Sequence, residues 1–196
     1  MGIIGVPGST GSNSRDVSPA DPVGDLDRAE EKYRRAIEAD PDDADALGDY
    51  ANFLADYRGD YDRAGEMFER AIAVDPDDAA NLTSYATLLN DRGDFDRAEE
   101  MYRRAVDADP GNAIVLGNYA DFLTDTRKDH VRAGEMHRRA VDADPDNTTI
   151  LGGYANFLTN VLGDHDRAEE MHRRAVDADP DDDYVLGNYA DFLVSA

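Results

Sequence analysis

An all-α, right-handed solenoid of tandem helical hairpins is the fold this sequence predicts, on three observations. Asp-Pro recurs at Asp40-Pro41, Asp75-Pro76, Asp109-Pro110, Asp144-Pro145 and Asp179-Pro180, at spacings of 35, 34, 35 and 35 residues. Between these marks each unit reads alike: L-G-N-Y-A-D-F-L, a Gly-Asp break with D-R-A-E-E after it, then R-R-A-V-D-A-D-P, with substitutions. Within each half of a unit the apolar residues keep helical spacing. A period in this range marks supersecondary units that bury their apolar faces only by stacking on neighbours.

The elements follow in order. Residues 1–23, rich in Gly, Ser and Pro, read as an irregular segment. Residues 24–39 match the second half of a unit with no first half before them. Full repeats are expected at 40–74, 75–108, 109–143 and 144–178, and residues 179–196 form a first half alone. In the first full repeat Leu47, Tyr50, Ala51 and Leu54 fall at i, i+3, i+4 and i+7, one buried helical stripe. After Gly59-Asp60 the pattern returns as Ala64, Met67, Phe68, Ala71 and Ile72. A turn that short permits only antiparallel packing, so each unit is a helical hairpin, and the chain holds about ten helices. The Asp of each Asp-Pro is expected to cap the next helix, with Pro at its first position.

Charge and composition narrow the function. The 196 residues carry 20 basic and 44 acidic side chains, a formal charge of -24. Such a field repels phosphates, so a nucleic-acid partner is disfavoured. No apolar run approaches the roughly 18 residues that span a membrane, so no membrane partner is expected. There is no cysteine, hence no disulfide, thiolate nucleophile or cysteine metal site. The opening residues lack the features of a secretory signal, and Val6 stands where a myristoylation motif wants Ser or Thr, so a cytoplasmic protein is expected. No phosphate loop or catalytic triad order is present, and neither enzyme activity nor a cofactor is expected.

The residues resemble the tetratricopeptide repeat (TPR) over roughly 24–196. In the second full unit the matching positions are Leu82, Tyr85, Ala86, Gly93, Ala98, Tyr102, Ala105 and Pro110. Two departures stand out. Three units carry one extra residue before the turn, and Lys128 replaces the turn glycine of Gly59, Gly93 and Gly163. That lysine must either adopt a left-handed conformation at about 1 kcal/mol or alter the turn. The pentatricopeptide relative also has about 35 residues per unit but reads RNA, which an acidic surface disfavours.

Several constellations invite chemistry. Arg34-Arg35, Arg103-Arg104, Arg138-Arg139 and Arg173-Arg174 are each preceded at i-4 by glutamates such as Glu30, Glu31, Glu99, Glu100, Glu135, Glu169 and Glu170, and read as a salt-bridged solvent face. His130, His137, His165 and His172 occupy the places of Tyr61, Phe68, Phe95 and Tyr102. Each pair lies seven residues apart, about 10 Å along one helix, too far for joint metal ligation at about 2 Å, so they read as packing substitutes. The Asp clusters around Asp142–Asp146 lack the Gly and Glu of a calcium loop, and no metal is expected.

The resemblance places a peptide groove on the face of each first helix that packing leaves free. There the lining comprises Asn52, Asp56, Thr87, Asp91, Asp121, Asp125, Asn156 and Asn160, with no lysine or arginine. The family's carboxylate clamp is therefore not expected. The asparagines suit an extended backbone and the aspartates a basic segment; a merely solvated wall is the alternative. The expected function is a non-enzymatic scaffold for a protein or peptide partner. The competing reading is a structural protein. Leu26, Ala29 and Tyr33 at one end and Tyr189, Phe192 and Leu193 at the other are expected to be exposed, as complementary halves of one hairpin. Such ends would assemble homo-oligomers head-to-tail into a filament or ring. Solvent-capped ends, cover by residues 1–23, or a longer parent chain remain the alternatives to that reading.

Overall fold

A computed structural model describes residues 22–195. Among them are ten helices and no strand: α1 (Pro22–Ala39), α2 (Ala44–Phe53), α3 (Tyr61–Val74), α4 (Ala79–Asp91), α5 (Phe95–Ala108), α6 (Ala113–Phe122), α7 (His130–Ala143), α8 (Thr148–Phe157), α9 (His165–Ala178) and α10 (Asp183–Ser195). The pairs α2/α3, α4/α5, α6/α7 and α8/α9 are the predicted hairpins, stacked into a right-handed solenoid. α1 begins at Pro22, two residues inside the stretch expected to be irregular; the remainder of that stretch lies outside the described residues.

The helix starts are written in Asp and Asn, though not where expected. Asp40, Asp75, Asp109 and Asp144 do not cap the following helix. They open a turn in which Pro takes the second place and the backbone N–H of Asp43, Asp78, Asn112 or Asn147 returns to the Asp carbonyl. The cap is the fourth residue of the turn. Asp43 accepts from the Ala46 N–H, Asp78 from Ala80 and Asn81, Asn112 from Ile114 and Val115, Asn147 from Ile150, and Asp182 from Tyr184 and Val185. The reason is steric: Pro pins the second turn position, which pushes the first helical residue three places on. The second helices are capped by the Asp of the Gly-Asp turn, where Asp60, Asp94, Asp129 and Asp164 accept from the N–H three residues on. Each such cap contributes about 1 kcal/mol.

The extra residue of the 35-residue units becomes one π-helical turn. Leu54–Arg58, Leu123–Arg127 and Leu158–Leu162 extend α2, α6 and α8, and the N–H of Gly59, Lys128 and Gly163 reaches back five residues to the carbonyl of Leu54, Leu123 and Leu158. The 34-residue unit lacks it, and α4 runs directly into Gly93. The wide turn absorbs the insertion without moving the core register, since Leu54, Leu123 and Leu158 are all 0% exposed and Leu89 is 5% exposed. Lys128 takes the left-handed conformation at φ 56°, beside Gly59 at 64° and Gly163 at 63°.

Packing follows the predicted stripes. Leu47, Leu82, Leu116 and Leu151, with Ala51, Ala86, Ala120 and Ala155, are buried against the second helices, which offer Ala64, Ala98, Ala133 and Ala168. Small residues on both sides let the axes approach and the leucines fill the remaining space. Between hairpins a ring on each second helix lies over the tyrosine of the next first helix. Tyr33 meets Tyr50, Phe68 meets Tyr85, Tyr102 meets Tyr119, His137 meets Tyr154 and His172 meets Tyr189, with centroids 5.8, 5.7, 5.6, 5.6 and 5.7 Å apart. The two histidines therefore hold aromatic packing places, as their positions in the repeat predict.

The arginine face departs from expectation in part. Arg34, Arg35 and Arg173 pair with Glu30, Glu31 and Glu169 four residues earlier. Arg104, Arg139 and Arg174 instead donate to the carbonyls of Pro76, Pro110 and Pro145 in the Asp-Pro turn that opens their own repeat, at 3.0, 3.1 and 2.9 Å. Glu99 likewise reaches Arg127 and Arg132 of the next hairpin. An exposed i,i+4 pair is worth only a few tenths of a kcal/mol, so a fixed partner elsewhere displaces it.

Candidate partner-binding groove

Consecutive first helices α2, α4, α6, α8 and α10 touch one another, whereas the second helices make at most marginal contact among themselves. The first helices therefore form the tighter, inner wall of the curve. Three of the cavities on that wall hold the predicted groove residues; a smaller one, about 60 Å³, lies between α8 and α10 against Gly152, His172 and Asn188.

The first, about 390 Å³, brings together Asn52, Asp56, Thr87 and Asp91 with Ala55, Tyr61, Phe68, Ser84 and Leu88. The second, about 230 Å³, holds Asp121 with Ile114, Gly117, Asn118, His137, Asn147, Thr149, Ile150 and Gly153. The third, about 330 Å³, holds Asn156 and Asn160 with Thr159, His172, Asn188, Asp191, Phe192 and Ser195. Asp125 lines none of the three, but its charge acts on Asp121 one helical turn away. No lysine or arginine lines any of these cavities, so the wall offers hydrogen-bond acceptors and negative charge without a basic counterpart.

Not every position on this face is open. Gly48 and Gly117 stand on the same face but lie beneath neighbouring side chains: a Cβ at Gly48 would sit 1.8 Å from Asn81 Oδ1, and one at Gly117 2.9 Å from Ile150 Cδ1. These glycines exist for close approach between first helices. The Thr87 hydroxyl is spent locally, on the Thr83 carbonyl and the Tyr102 hydroxyl. Ser84, Asn118 and Asn188 line the groove and escaped the sequence reading. The signal was available: Asn118, Asp121 and Asp125 fall at i, i+3 and i+7, so extending the stripe one turn back finds them.

Electrostatics distinguish the middle cavity. Desolvation deep in the curve, and then the charge of Asp125, push the Asp121 carboxyl up to about 6, although its side chain remains 63% exposed. Water reaches the carboxylate while protein surrounds it. His137 is 2% exposed, and burial lowers its imidazole to about 4, so it is neutral near pH 7. Among the described residues its Nε2 has no hydrogen-bond partner, and it lies 3.8 Å from Asp121 Oδ1. His172 is shifted in the same direction by burial.

The ends differ from the sequence expectation. Leu26, Ala29 and Tyr33 are half-buried against the core, and Tyr33 lies on Tyr50 and Phe53. Tyr189 is half-buried and Phe192 is 7% exposed, both against His172. Of the six residues named as free ends, Leu193 alone is open, at 55%. The other five face the adjacent hairpin within the chain, because the inter-hairpin face and the intra-hairpin face of a helix are different stripes. The stripe bare at α10 is Leu186, Ala190 and Leu193.

A stack of capped helical hairpins with a recurring Ala and aromatic pattern and a cavity-lined inner wall defines an α-solenoid of the repeat class that presents a groove. The chain belongs to the tetratricopeptide repeat family, whose profiles match residues 54–113 and 86–148 in one form and 23–82 in another. That family is generally a non-catalytic interaction module, and the fold supports a protein-interaction scaffold. No curated protein matches the sequence at significant similarity. Among solved structures it is similar to a thermophilic TPR protein of Thermus thermophilus, at 18% identity and TM-score 0.73, covering 88% of this chain and 93% of that one. It is also similar to YrrB, described as a TPR protein with an unusual peptide-binding site, at 20% identity and TM-score 0.61 over 85% and 84% of the two chains. Yeast Tom70 is similar at 20% identity and TM-score 0.71, over 85% of this chain and 35% of that one. No described helix is long and apolar enough to cross a membrane.

Proposed function

We propose that the chain is a non-catalytic scaffold whose inner wall holds a basic, extended segment of a protein partner. The observation that carries this reading is the set of three cavities along the inner wall with acidic or acceptor linings and no cation among them. An extended chain finds carboxamide partners at Asn52, Asn156 and Asn160, and its cationic side chains find Asp56, Asp91, Asp121 and Asp125. The partly desolvated inner wall strengthens these attractions over those on an open surface. The test is fluorescence anisotropy of a labelled basic peptide against the wild type and the Asp91→Asn, Asp121→Asn, Asp125→Asn triple variant. The reading requires weaker binding and a flatter salt dependence in the variant; unchanged affinity refutes it.

A second reading, self-assembly, draws on a different observation. Leu186 and Leu193 are 41% and 55% exposed, and Ala190 is exposed, while their counterparts in all four complete hairpins are 0–5% exposed. At the other end Ala36 is exposed where Ala71, Ala105, Ala140 and Ala175 are 0–2% exposed. The four complete hairpins show what covers such a stripe: a second helix of this sequence. A second copy's α1 on α10 makes a head-to-tail contact, open-ended unless the rotation closes. Light scattering across concentrations, on the wild type and on Leu186→Asp with Leu193→Asp, decides it. A wild-type monomer at every concentration removes this reading.

A further inference from the structure

Resting on the basic-segment reading, we propose that the cavity between α6 and α8 is a lysine subsite, in which Asp121 and His137 together receive the ammonium of the partner's side chain. Two features set this cavity apart from its neighbours. Its walls are Ile114, Ile150, Gly117 and Gly153, a lining suited to the methylene stem of an amphipathic side chain. Its floor carries a buried imidazole whose Nε2 has no partner among the described residues. Leaving such a group unsatisfied is costly, and the same place in the preceding hairpin shows the satisfied version: the Tyr102 hydroxyl meets Thr87, the residue that corresponds to Asp121, at 3.0 Å. In the α6/α7 hairpin the corresponding gap is 3.8 Å and no hydrogen bond forms.

Two polar atoms 3.8 Å apart straddle the position of a single nitrogen at normal hydrogen-bond distance from both. An ammonium has three divergent donors and no acceptor, so it serves a carboxylate and a neutral imidazole nitrogen at once. A guanidinium is a planar fork matched to the two oxygens of one carboxylate, and it leaves the imidazole without a directed donor. The Asp121 carboxylate has no hydrogen bond of its own among the described residues and is largely open, so its oxygens are free to receive a donor. Low basicity of His137 keeps its Nε2 unprotonated near neutral pH, which prevents it from repelling the ammonium.

The probes are labelled (Gly-Ser-Lys)4 and (Gly-Ser-Arg)4 peptides, titrated by anisotropy into the full chain. His137→Phe preserves packing, because Phe68 fills the same place in α3 at 1% exposure; His137→Tyr, which copies the ring at Tyr102, is the second variant. The proposal expects Asp121→Asn to weaken the lysine peptide about tenfold. It expects His137→Phe to weaken that peptide about three- to tenfold, with less than about a twofold change for the arginine peptide. Equal losses for the two peptides, or no loss with His137→Phe in a protein of unchanged circular dichroism, overturn the subsite. If the triple Asp variant still weakens both peptides in that case, the basic-segment reading stands without it. If neither peptide binds the wild type, both fall.

Discussion

Lys128 offers a sharp test of the turn geometry. It is the sole non-glycine residue with positive φ among the described residues, at φ 56° and ψ 26°, and it occupies the place that glycine holds in the other three turns. A side chain in this region costs about 1–2 kcal/mol through its Cβ. Replacement by glycine removes that strain but adds about 0.4–1 kcal/mol of unfolded-state freedom. Lys128→Gly therefore stabilises by about 0.5–1 kcal/mol, a rise in Tm of about 1–4 °C for a chain of this size. Lys128 is exposed and makes no ion pair among the described residues, so Lys128→Ala is the matched control: it loses the same charge and keeps the Cβ. Scanning calorimetry should place Ala within about 0.5 kcal/mol of wild type. Equal stabilisation by Ala and Gly would trace the effect to charge; destabilisation by Gly would show that the lysine stem contributes packing.

Further outcomes follow from the same geometry. Gly48→Ala drives a methyl into Asn81, which is held by the Ala44 carbonyl and Asp78, and should cost about 1–3 kcal/mol in urea unfolding. Gly152→Ala, at the same place in its unit with nothing within 4 Å, should stabilise by about 0.5–1 kcal/mol. Leu151→Ala should cost about 2–5 kcal/mol, while Leu186→Ala, its half-open counterpart, should cost far less if the chain is a monomer.

Acid should expose a compensation in the middle cavity. Burial lowers His137 from 6.5 to about 4, so in that window the unfolded chain binds a proton that the folded chain refuses, and stability falls as pH drops. Asp121, raised from 3.8 to about 6, acts in the opposite sense: the folded chain binds its proton first, and acid stabilises. Asp125 is the remaining charge on this cluster, and Tyr154 and Phe157, which pack on the imidazole from α8, add none. Asp121→Asn therefore removes the compensation. Between pH 6.5 and 4 it should lose up to about 3 kcal/mol more than Asp121→Asn with His137→Phe. Equal pH slopes in the two variants contradict this.

Much of this architecture is visible in the residue pattern because each hairpin is nearly self-describing. Leu47, Ala51 and Leu54 lie on one face at helical spacing, and a residue count finds them. The π-turns were visible as a one-residue excess, but their form was not, since only the fixed register of Leu54 and Leu158 decides that the insertion widens the helix rather than lengthening the turn. The Asp-Pro error has a local cause: two acidic residues, Asp40 and Asp43, compete as caps, and the Pro between them selects the later one. At the ends a single stripe was assigned to what are two separate contacts, which is why Tyr33 and Phe192 are covered while Leu186 and Leu193 are not. In the groove, Asn52, Asp56, Thr87 and Asp91 do converge, but the depth at which His137 meets Asp121 depends on how α6 and α8 approach, and no spacing rule supplies that.

The central claim, that the inner wall formed by α2, α4, α6 and α8 receives a basic segment, is most directly tested by backbone amide NMR during titration with the (Gly-Ser-Lys)4 peptide. The account predicts perturbations concentrated at groove positions such as Asn52, Asp91, Asp121 and Asn156, diminishing as salt is raised. Perturbations gathered instead on the outer faces of α3, α5, α7 and α9, or none at any peptide concentration, would contradict it.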